Sequence, residues 1–553
     1  MAEQQFDVAV VGYGPVGASL ANLLALRGLS VVVVERESGV FSLPRAIQFD
    51  GEVMRTFQTI GIADELLPDL VVAARMAFTD DEGRVLIDWK RPTDITPQGW
   101  NTSYRFHQPT LERLLRSKLD TYPQTSVFLD TEVTQIDDSG DQVTLTVTDR
   151  IGGGDRQISA KLVVGCDGAR STTREHLDIA LDDLRSHERW LVVDCLLHED
   201  KPELGDDSIQ YCDPKRPATY VRGPHNRRRW EFMLLEHEDA DTMKSEEMVW
   251  KLLEPWISRE EATIERPAVY TFHSVVANDW GKGNVFLAGD SCHQTPPFMG
   301  QGMCAGIRDA SNLAWKIADV VQGRAPQELL HTYEAERSPH VRTFIETAVR
   351  LGSVISTTDP EVARERNMRM CSQPEGFSTP QPRLGPGLWD ATNPAAGYIG
   401  EQPFMADDSR LDDLVGYHWS IFATPDAAAK IRASDLDLST APVVVESDSE
   451  SGGAWLGELD AVAVLVRPDR YIAASARTLN EITTFVPAIQ DFNDEIDAAN
   501  DLMAWGASGV NSWHKNASGR VSQNWPHSLL DYFMRTRAMN PSKYDVTTIG
   551  KDN

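Results

Sequence analysis

The feature that most constrains this chain stands almost at its start. In DVAVVGYGPVGASLANLLALRGLSVVVVERE, an apolar run over 7–11 leads into Gly12, Gly14 and Gly17, spaced GxGxxG. An apolar helix pattern follows, and then a second apolar run that ends on Glu35. Strand, glycine turn, helix, strand and acid in this order, within about 30 residues, are the dinucleotide-binding βαβ unit. The glycines give a tight turn, close approach of backbone to a pyrophosphate, and close packing of helix on strand. Pro15 and Val16 open the helix, whose free N–H groups and positive dipole end suit phosphate. Glu35, followed by Arg36, is placed to meet ribose hydroxyls.

This unit alone does not separate NAD from FAD; two further pieces bear on that choice. VVGCDGARSTTRE (163–175) reads as a strand ending in Asp167-Gly168 before a Ser/Thr-rich helix start. NVFLAGDSCH (284–293) reads as a strand ending in Gly289-Asp290. Beyond it, QTPPFMGQGMCAG carries Pro296, Pro297, Gly300, Gln301, Gly302 and Met303 into a long apolar run. Prolines stiffen such an approach, and glycines let backbone come close to a ligand.

Together the three pieces resemble the FAD-dependent aromatic hydroxylases, the single-component flavoprotein monooxygenases. The resemblance implies FAD in the GxGxxG site, with Asp167-Gly168 serving both FAD and the nicotinamide donor. It places Asp290 on the ribityl chain and Pro297–Met303 beside the flavin ring, with the following helix aimed at its pyrimidine edge. A helix N-terminus there stabilises the negative charge of reduced flavin. By position, Arg45 in LPRAIQFD resembles the family's arginine beside the diphosphate, and Gln108 in RFHQPTLERLL resembles its glutamine. NADH or NADPH would bind transiently on the same surface, since no second GxGxxG is present.

Composition sets outer limits. The 553 residues carry a formal charge of -30, the opposite of a nucleic-acid or anionic-membrane footprint. The most apolar stretch, 16–34, is interrupted by Ser19, Asn22, Arg27 and Ser30, too polar to span a bilayer. No signal peptide is evident. The six cysteines show no CxxC and the histidines no ligand spacing, so the reading is reduced cytoplasmic thiols and no metal site.

The fold expected is α/β. A Rossmann-like FAD-binding domain (1–183, resumed with helices over 280–380) holds an inserted antiparallel-sheet substrate domain (184–279). A Pro/Gly-rich linker (381–394) leads to a C-terminal unit (395–540) that resembles the thioredoxin-like domain of the larger hydroxylases. No cysteine lies beyond Cys371, so that unit has no dithiol role. A polar tail occupies 536–553.

The closest resemblance within the family is to the 3-(3-hydroxyphenyl)propionate hydroxylases, over most of residues 5–350. It rests on PRAIQFD, RWLVVDCLL, YCDPKRPATYVRGPHNRRRWEFM and GQGMCAGIRDASNLAWKI. It implies hydroxylation of a small carboxylated phenol with NAD(P)H and O2, by way of a C4a-hydroperoxyflavin. The Pro296-Pro297-Phe298 sequence departs from the family's usual pattern next to the flavin. A phenol ionises near about 10, so a positioned base helps. Asp50 matches the active-site aspartate of the phenol-hydroxylase branch; equally, it fits the N-cap of a helix starting near Glu52. His293 reads as structural. Arg222 is the candidate partner for a substrate carboxylate, and Tyr211, Tyr220 and Tyr104 are candidate phenol partners. Three alternatives stay open: a hydroxylase of a larger polyketide or antibiotic-like phenol, a non-oxygenating FAD reductase, and a non-catalytic FAD-binding scaffold. The oligomeric state, a homodimer included, is also open.

Overall fold

The computed structural model describes residues 5–40, 45–433, 443–478 and 481. The chain forms two compact units: Met1–Ala314 with Val341–Gln381, and Trp315–His340 with Pro382–Asn553.

The first unit contains two large sheets. Its eight-stranded sheet has a parallel core in the order Val285–Leu287, Asp155–Gly165, Gln5–Val11, Val31–Val34, Thr125–Phe128. The strand Val31–Val34 is four valines, all buried, as a parallel strand covered on both faces requires. Asn22, inside the helix Pro15–Leu26, is fully buried; its Nδ2 donates to the carbonyls of Ala18 and Leu115, while its Oδ1 has no hydrogen-bond partner among the described residues.

The second sheet has nine strands and is mainly antiparallel. Its central strands are Leu181–Leu197, Arg227–Met233, Ala218–Arg222 and Ser208–Tyr211, with Ala262–Ala277 beside the first. It is not confined to 184–279. Arg75–Thr79 and Val85–Lys90 extend it through a parallel pairing with Ser208–Tyr211, and Glu375–Gly376 closes that edge. The sheet expected over 184–279 is thus shared with segments that the sequence assigned to the FAD part. Parallel pairing across so long a separation leaves no local turn signal to announce it.

One face of this sheet packs Leu191, Val193, Tyr220, Trp230 and Phe232 against the helix Glu246–Leu253 and Trp256. The opposite face carries Trp190, Met76, Phe78 and Trp89 and meets Phe298, Met299 and the Phe344–Ile355 stretch.

The second unit contains a four-stranded sheet in the order Val443–Glu446, Ser420–Ala423, Ala463–Val466, Ile472–Ala476. Its first pair is parallel and the rest antiparallel. A hairpin across Pro468-Asp469 joins the last two strands. The polar tail lies outside the described residues. Among the described residues, no helix is long and apolar enough to cross a membrane.

Candidate active site

The three sequence motifs converge. Val11, Gly165 and Leu287 end three adjacent parallel strands, and the turns that leave them lie side by side. Cys166 N–H donates to the Val11 carbonyl and Ala288 N–H to the Gly165 carbonyl. A Cβ on Gly12 would stand 2.5 Å from the Cys166 carbonyl oxygen, and one on Gly17 2.1 Å from that of Gly12. Val16 packs where a Cβ on Gly289 or Gly306 would stand, at 3.0 and 2.5 Å. Binding crevices in such sheets lie outside the carboxyl ends of the strands, where this cluster stands.

The cradle fits a dinucleotide. Gly12, Gly17, Gly289 and Gly306 are walled in, but a Cβ on Gly14 would meet nothing within 4 Å, so that turn is open on the ligand side. The helix behind it starts on Gly14 and Pro15 with no side-chain cap and no acid in its first turn. Its N–H groups are left for an anion. Glu35 accepts from Tyr13 N–H (2.7 Å) and Glu37 N–H (2.9 Å), which fixes a carboxylate at the end of the second strand. The Asp290 side chain is exposed, yet protein surrounds it closely enough that burial raises its pKa. It has no hydrogen-bond partner among the described residues. Gly300 (φ +64°) turns the chain into the helix Gly302–Val321 against Gln48. Gln301 is buried and accepts from Arg308, and Met303 is half-buried on the first turn.

Other candidates act through their neighbours. Gln108 Oε1 accepts from the N–H groups of Arg45 and Ala46 (2.9 and 2.8 Å), and its Nε2 donates to Glu112, so this amide holds the Arg45 loop. Asp167 accepts from Ser171 Oγ, Thr172 Oγ1, and both Oγ1 and N–H of Thr173, which builds the start of the next helix. Gly168 (φ +79°) beside it is open. Arg36 lies at the surface against Glu37. His293 Nε2 and Asp309 Oδ2 are 2.6 Å apart, and Asp309 also accepts from Gly289 N–H. Cys292, His293 and Asp309 are close enough to hold a metal ion, but these bonds already tie the group to the Gly289-Asp290 turn. Asp309 escaped the sequence reading; it lies one helix away from the turn it braces.

Asp50 is the N-cap of the helix Gly51–Ile60, accepting from Val53 N–H at 3.1 Å. Its other oxygen takes Arg308 Nη2 at 2.6 Å, while Arg308 Nε donates to Glu52. Both oxygens are engaged, so the capping role is the one the geometry displays.

The substrate-side candidates fall on the wrong face of the second sheet. Strand residues alternate between faces. Tyr220 is buried, stacked near Trp230, and donates to the Gly205 carbonyl. Tyr211 packs on Trp256 and accepts from its indole N–H. Arg222 pairs with Asp206 at the rim. All three share the parity of Trp230, whose face the helix Glu246–Leu253 covers. Tyr104 is buried between strands and bonded to Asn101.

The opposite face is the one that looks toward the cradle. Trp190 meets Phe298 edge-on, with ring centroids 5.6 Å apart. Arg229 donates to the Arg45 carbonyl (2.8 Å) and, through Nε and Nη2, to Asp194 (2.8 and 3.0 Å). Between these anchors, pairing aligns Gln210, Thr219 and Glu231 in one row across three strands. A cleft of about 360 Å³ opens nearby, lined by Arg45, Lys244, Arg266 and Tyr270 among others. None of Trp190, Gln210, Thr219, Arg229 and Glu231 was singled out from sequence. The available signal was strand parity: in RRRWEFM, Glu231 lies between Trp230 and Phe232, so it faces away from them.

Comparison with known proteins agrees with this geometry. The FAD binding domain family matches residues 5–348. The chain is 34% identical over 498 residues to a probable NADH-specific resorcinol 4-hydroxylase of Rhodococcus jostii, covering 86% of this chain and 93% of that one. It is 34% identical over 512 residues to a 3-(3-hydroxy-phenyl)propionate/3-hydroxycinnamic acid hydroxylase of Burkholderia cenocepacia, covering 85% and 93%. Among solved structures, the flavin-dependent monooxygenase PieE in complex with FAD and substrate superposes with a TM-score of 0.76 at 21% identity, over 88% of this chain and 98% of that one.

Proposed function

The chain is a member of the FAD-dependent aromatic hydroxylase family, and from that premise we propose that it hydroxylates a small phenol with O2 and NADH or NADPH. The observation that carries the reading is the apposition of the cradle and a sheet face through Phe298 and Trp190. Bound FAD supplies the redox chemistry: NAD(P)H, H⁺, O2 and the phenol give NAD(P)⁺, water and the ring bearing one more hydroxyl.

This chain's residues bind, orient and exclude water. The Gly12–Gly17 turn and the helix behind it would hold the diphosphate, Glu35 the ribose, and Asp290 the ribityl hydroxyls. Gln108 fixes the Arg45 loop, which would lie beside the same cofactor. Asp167 and Asp309 keep the two neighbouring turns in place, and the helix starting at Gly302 would offer its N-terminus to the flavin. Trp190, Met233, Phe298 and Met299 crowd the facing side, which suits a single ring better than a polycyclic one. The name of the Rhodococcus relative favours NADH as donor. The finer architecture we read as a Rossmann-like FAD half, an antiparallel substrate sheet and a thioredoxin-like C-terminal unit without a dithiol, supported by the sheet orders. A cytoplasmic setting goes with six unpaired cysteines.

The test is oxidation of NADH and NADPH by the purified protein, with and without a phenol, followed together with O2 uptake and H2O2. Phenol-stimulated oxidation with little peroxide is expected. Phenol-independent oxidation with no oxygen in the product would replace the reading with a reductase. Gly14→Val should yield colourless protein, because its Cβ branches enter the open side of the turn; full FAD content in that variant would remove the cradle assignment.

A further inference from the structure

The sheet face that looks toward the cradle is mostly apolar, but one row on it is not. Gln210, Thr219 and Glu231 stand side by side on three adjacent strands and are all buried. Thr219 Oγ1 donates to Gln210 Oε1 at 2.7 Å, so two of the three side chains are coupled. The third has an oxygen to spare. Among the described residues no hydrogen bond reaches the Glu231 carboxylate, and its nearest cation, Arg229 Nη1, is 3.8 Å away. Arg229 gives its Nε and Nη2 to Asp194 instead. The Glu231 side chain also keeps 11% of its surface, against 2% for Arg229, so it borders a space rather than packed protein. A buried carboxylate with no donor is costly unless a ligand supplies one.

The geometry points to Glu231 as the group that receives the phenolic O–H of the substrate, and hence to an uncharged hydroxylated ring, not a carboxylated one, as the substrate class. The proposal rests on the hydroxylase reading above and deepens it. Three observations support it. Glu231 lies in its strand between Arg229, tied to the Arg45 loop, and Met233, which pairs with the Trp190 that meets Phe298. The row is flanked by Trp190 and Met233 on one side and by Val221 and Met76 on the other, which frames a slot for a flat ring. Arg229, the cation nearest Glu231, gives its Nε and Nη2 to Asp194 and its Nη1 to the Arg45 carbonyl, so a substrate carboxylate placed beside Glu231 would meet a like charge, whereas an O–H donor would not.

The same contact assists the chemistry. As the ring carbon ortho or para to the hydroxyl takes the oxygen, the hydroxyl oxygen feeds an electron pair into the ring and its proton moves to a Glu231 oxygen. The substituted carbon then gives up its own proton, which ends on the second atom of O2 as that atom leaves as water with the electrons supplied by NAD(P)H; the ring regains aromaticity and the first proton returns from Glu231 to the phenol oxygen. Burial raises the Glu231 pKa, with Asp194 adding to the rise and Arg229 opposing it, which brings the carboxyl nearer to a proton acceptor useful at neutral pH. Asp50, with both oxygens engaged, is less free to do this.

The rival is an anion site at Arg91. Its guanidinium is buried over the Trp89 ring at 3.9 Å, and its Nη atoms have no hydrogen-bond partner among the described residues. A carboxylated phenol would seek that group.

The experiment uses the FAD-loaded full chain as wild type, Glu231→Gln and Arg91→Gln, with resorcinol and 3-(3-hydroxyphenyl)propionate as probes. Dissociation constants come from the flavin absorbance change, and kcat, KM and peroxide yield from turnover. Wild type should bind resorcinol at least about tenfold more tightly than the propionate. Glu231→Gln should lower coupled hydroxylation of resorcinol by about 100-fold, as expected for loss of a proton acceptor, while FAD content and dithionite reduction stay unchanged. Preference of the wild type for the propionate, lost in Arg91→Gln, would overturn the proposal. So would coupled turnover of resorcinol by Glu231→Gln at the wild-type rate. Should Glu231→Gln not fold, the wild-type preference decides alone. A wild type that hydroxylates neither probe, nor any other phenol, overturns the hydroxylase reading itself, and shows this before any substitution is made.

Discussion

Two buried charge clusters in this protein look alike at first and differ in one respect. In the second unit, Glu336 accepts from Lys316 (2.7 Å), from both Nη atoms of Arg467 (2.7 Å each) and from Leu388 N–H (2.8 Å). Arg467 also bonds Asp469 through two nitrogens (2.9 and 2.6 Å). Two cations and two anions cancel, and burial lowers Lys316 only to about 8. In the first unit, Arg229 is given to Asp194, and the Glu231 carboxylate is left without a donor among the described residues. A satisfied cluster stabilises a unique packing; an unsatisfied one marks a place where a ligand completes the structure. The comparison separates structural from functional burial by hydrogen-bond bookkeeping, not by residue type.

Breaking the balanced cluster should cost most. Glu336→Gln leaves a buried cation uncompensated and should lower stability by about 3–5 kcal/mol in denaturant unfolding. A loss below about 1 kcal/mol would mean that the cluster is wetter than it looks. Asp194→Asn removes charged hydrogen bonds from Arg229 and should cost about 1.5–3 kcal/mol. It also frees Arg229 to turn to Glu231, so binding of a carboxylated phenol should tighten while resorcinol binding weakens; an unchanged ratio would separate the two residues. Asp50→Ala should cost about 1 kcal/mol as a lost N-cap, with FAD content unchanged. Abolished hydroxylation in that variant at full FAD content would return Asp50 to catalysis.

The smallest effect has the most informative sign. Glu231→Gln should raise the melting temperature at neutral pH while it lowers turnover. The folded pKa of Glu231 lies above the 4.5 of an ordinary glutamate. Between the two values the folded protein holds a proton that the unfolded chain has released, so this group's contribution falls as pH rises through that window. The advantage of Glu231→Gln should therefore grow as pH rises above about 4.5 and close below it. A melting temperature that falls in the variant would place Glu231 with Glu336, as a structural anchor.

The cradle was readable from sequence because its causes are local. Glycine spacing, the strand before it and the acid after it all lie within one βαβ unit, and the fold places them as the pattern requires. The facing sheet was less readable because its causes are not local. Tyr211, Tyr220 and Arg222 were chosen by residue type, but which face of a strand is covered depends on a helix twenty or more residues away, Glu246–Leu253. Glu231 was visible in RRRWEFM only to a reader who already knew which side Trp230 and Phe232 occupy. Asp50 illustrates the same limit: its cap is three residues away and was anticipated, whereas its ion partner, Arg308, is 258 residues away and was not.

The shared nine-stranded sheet has a consequence for how the protein is made. Arg75 meets its partner Asp207 across 132 residues, and the edge strand that completes the sheet lies at Glu375–Gly376. On the ribosome, the cradle strands 5–11 and 31–34 pair early, but the strands at 75–90 emerge with no sheet to join and must wait. Such long-delayed pairings fold slowly and expose unpaired edges in the meantime. The sheet face proposed to meet the substrate is therefore among the last parts of its unit to be completed.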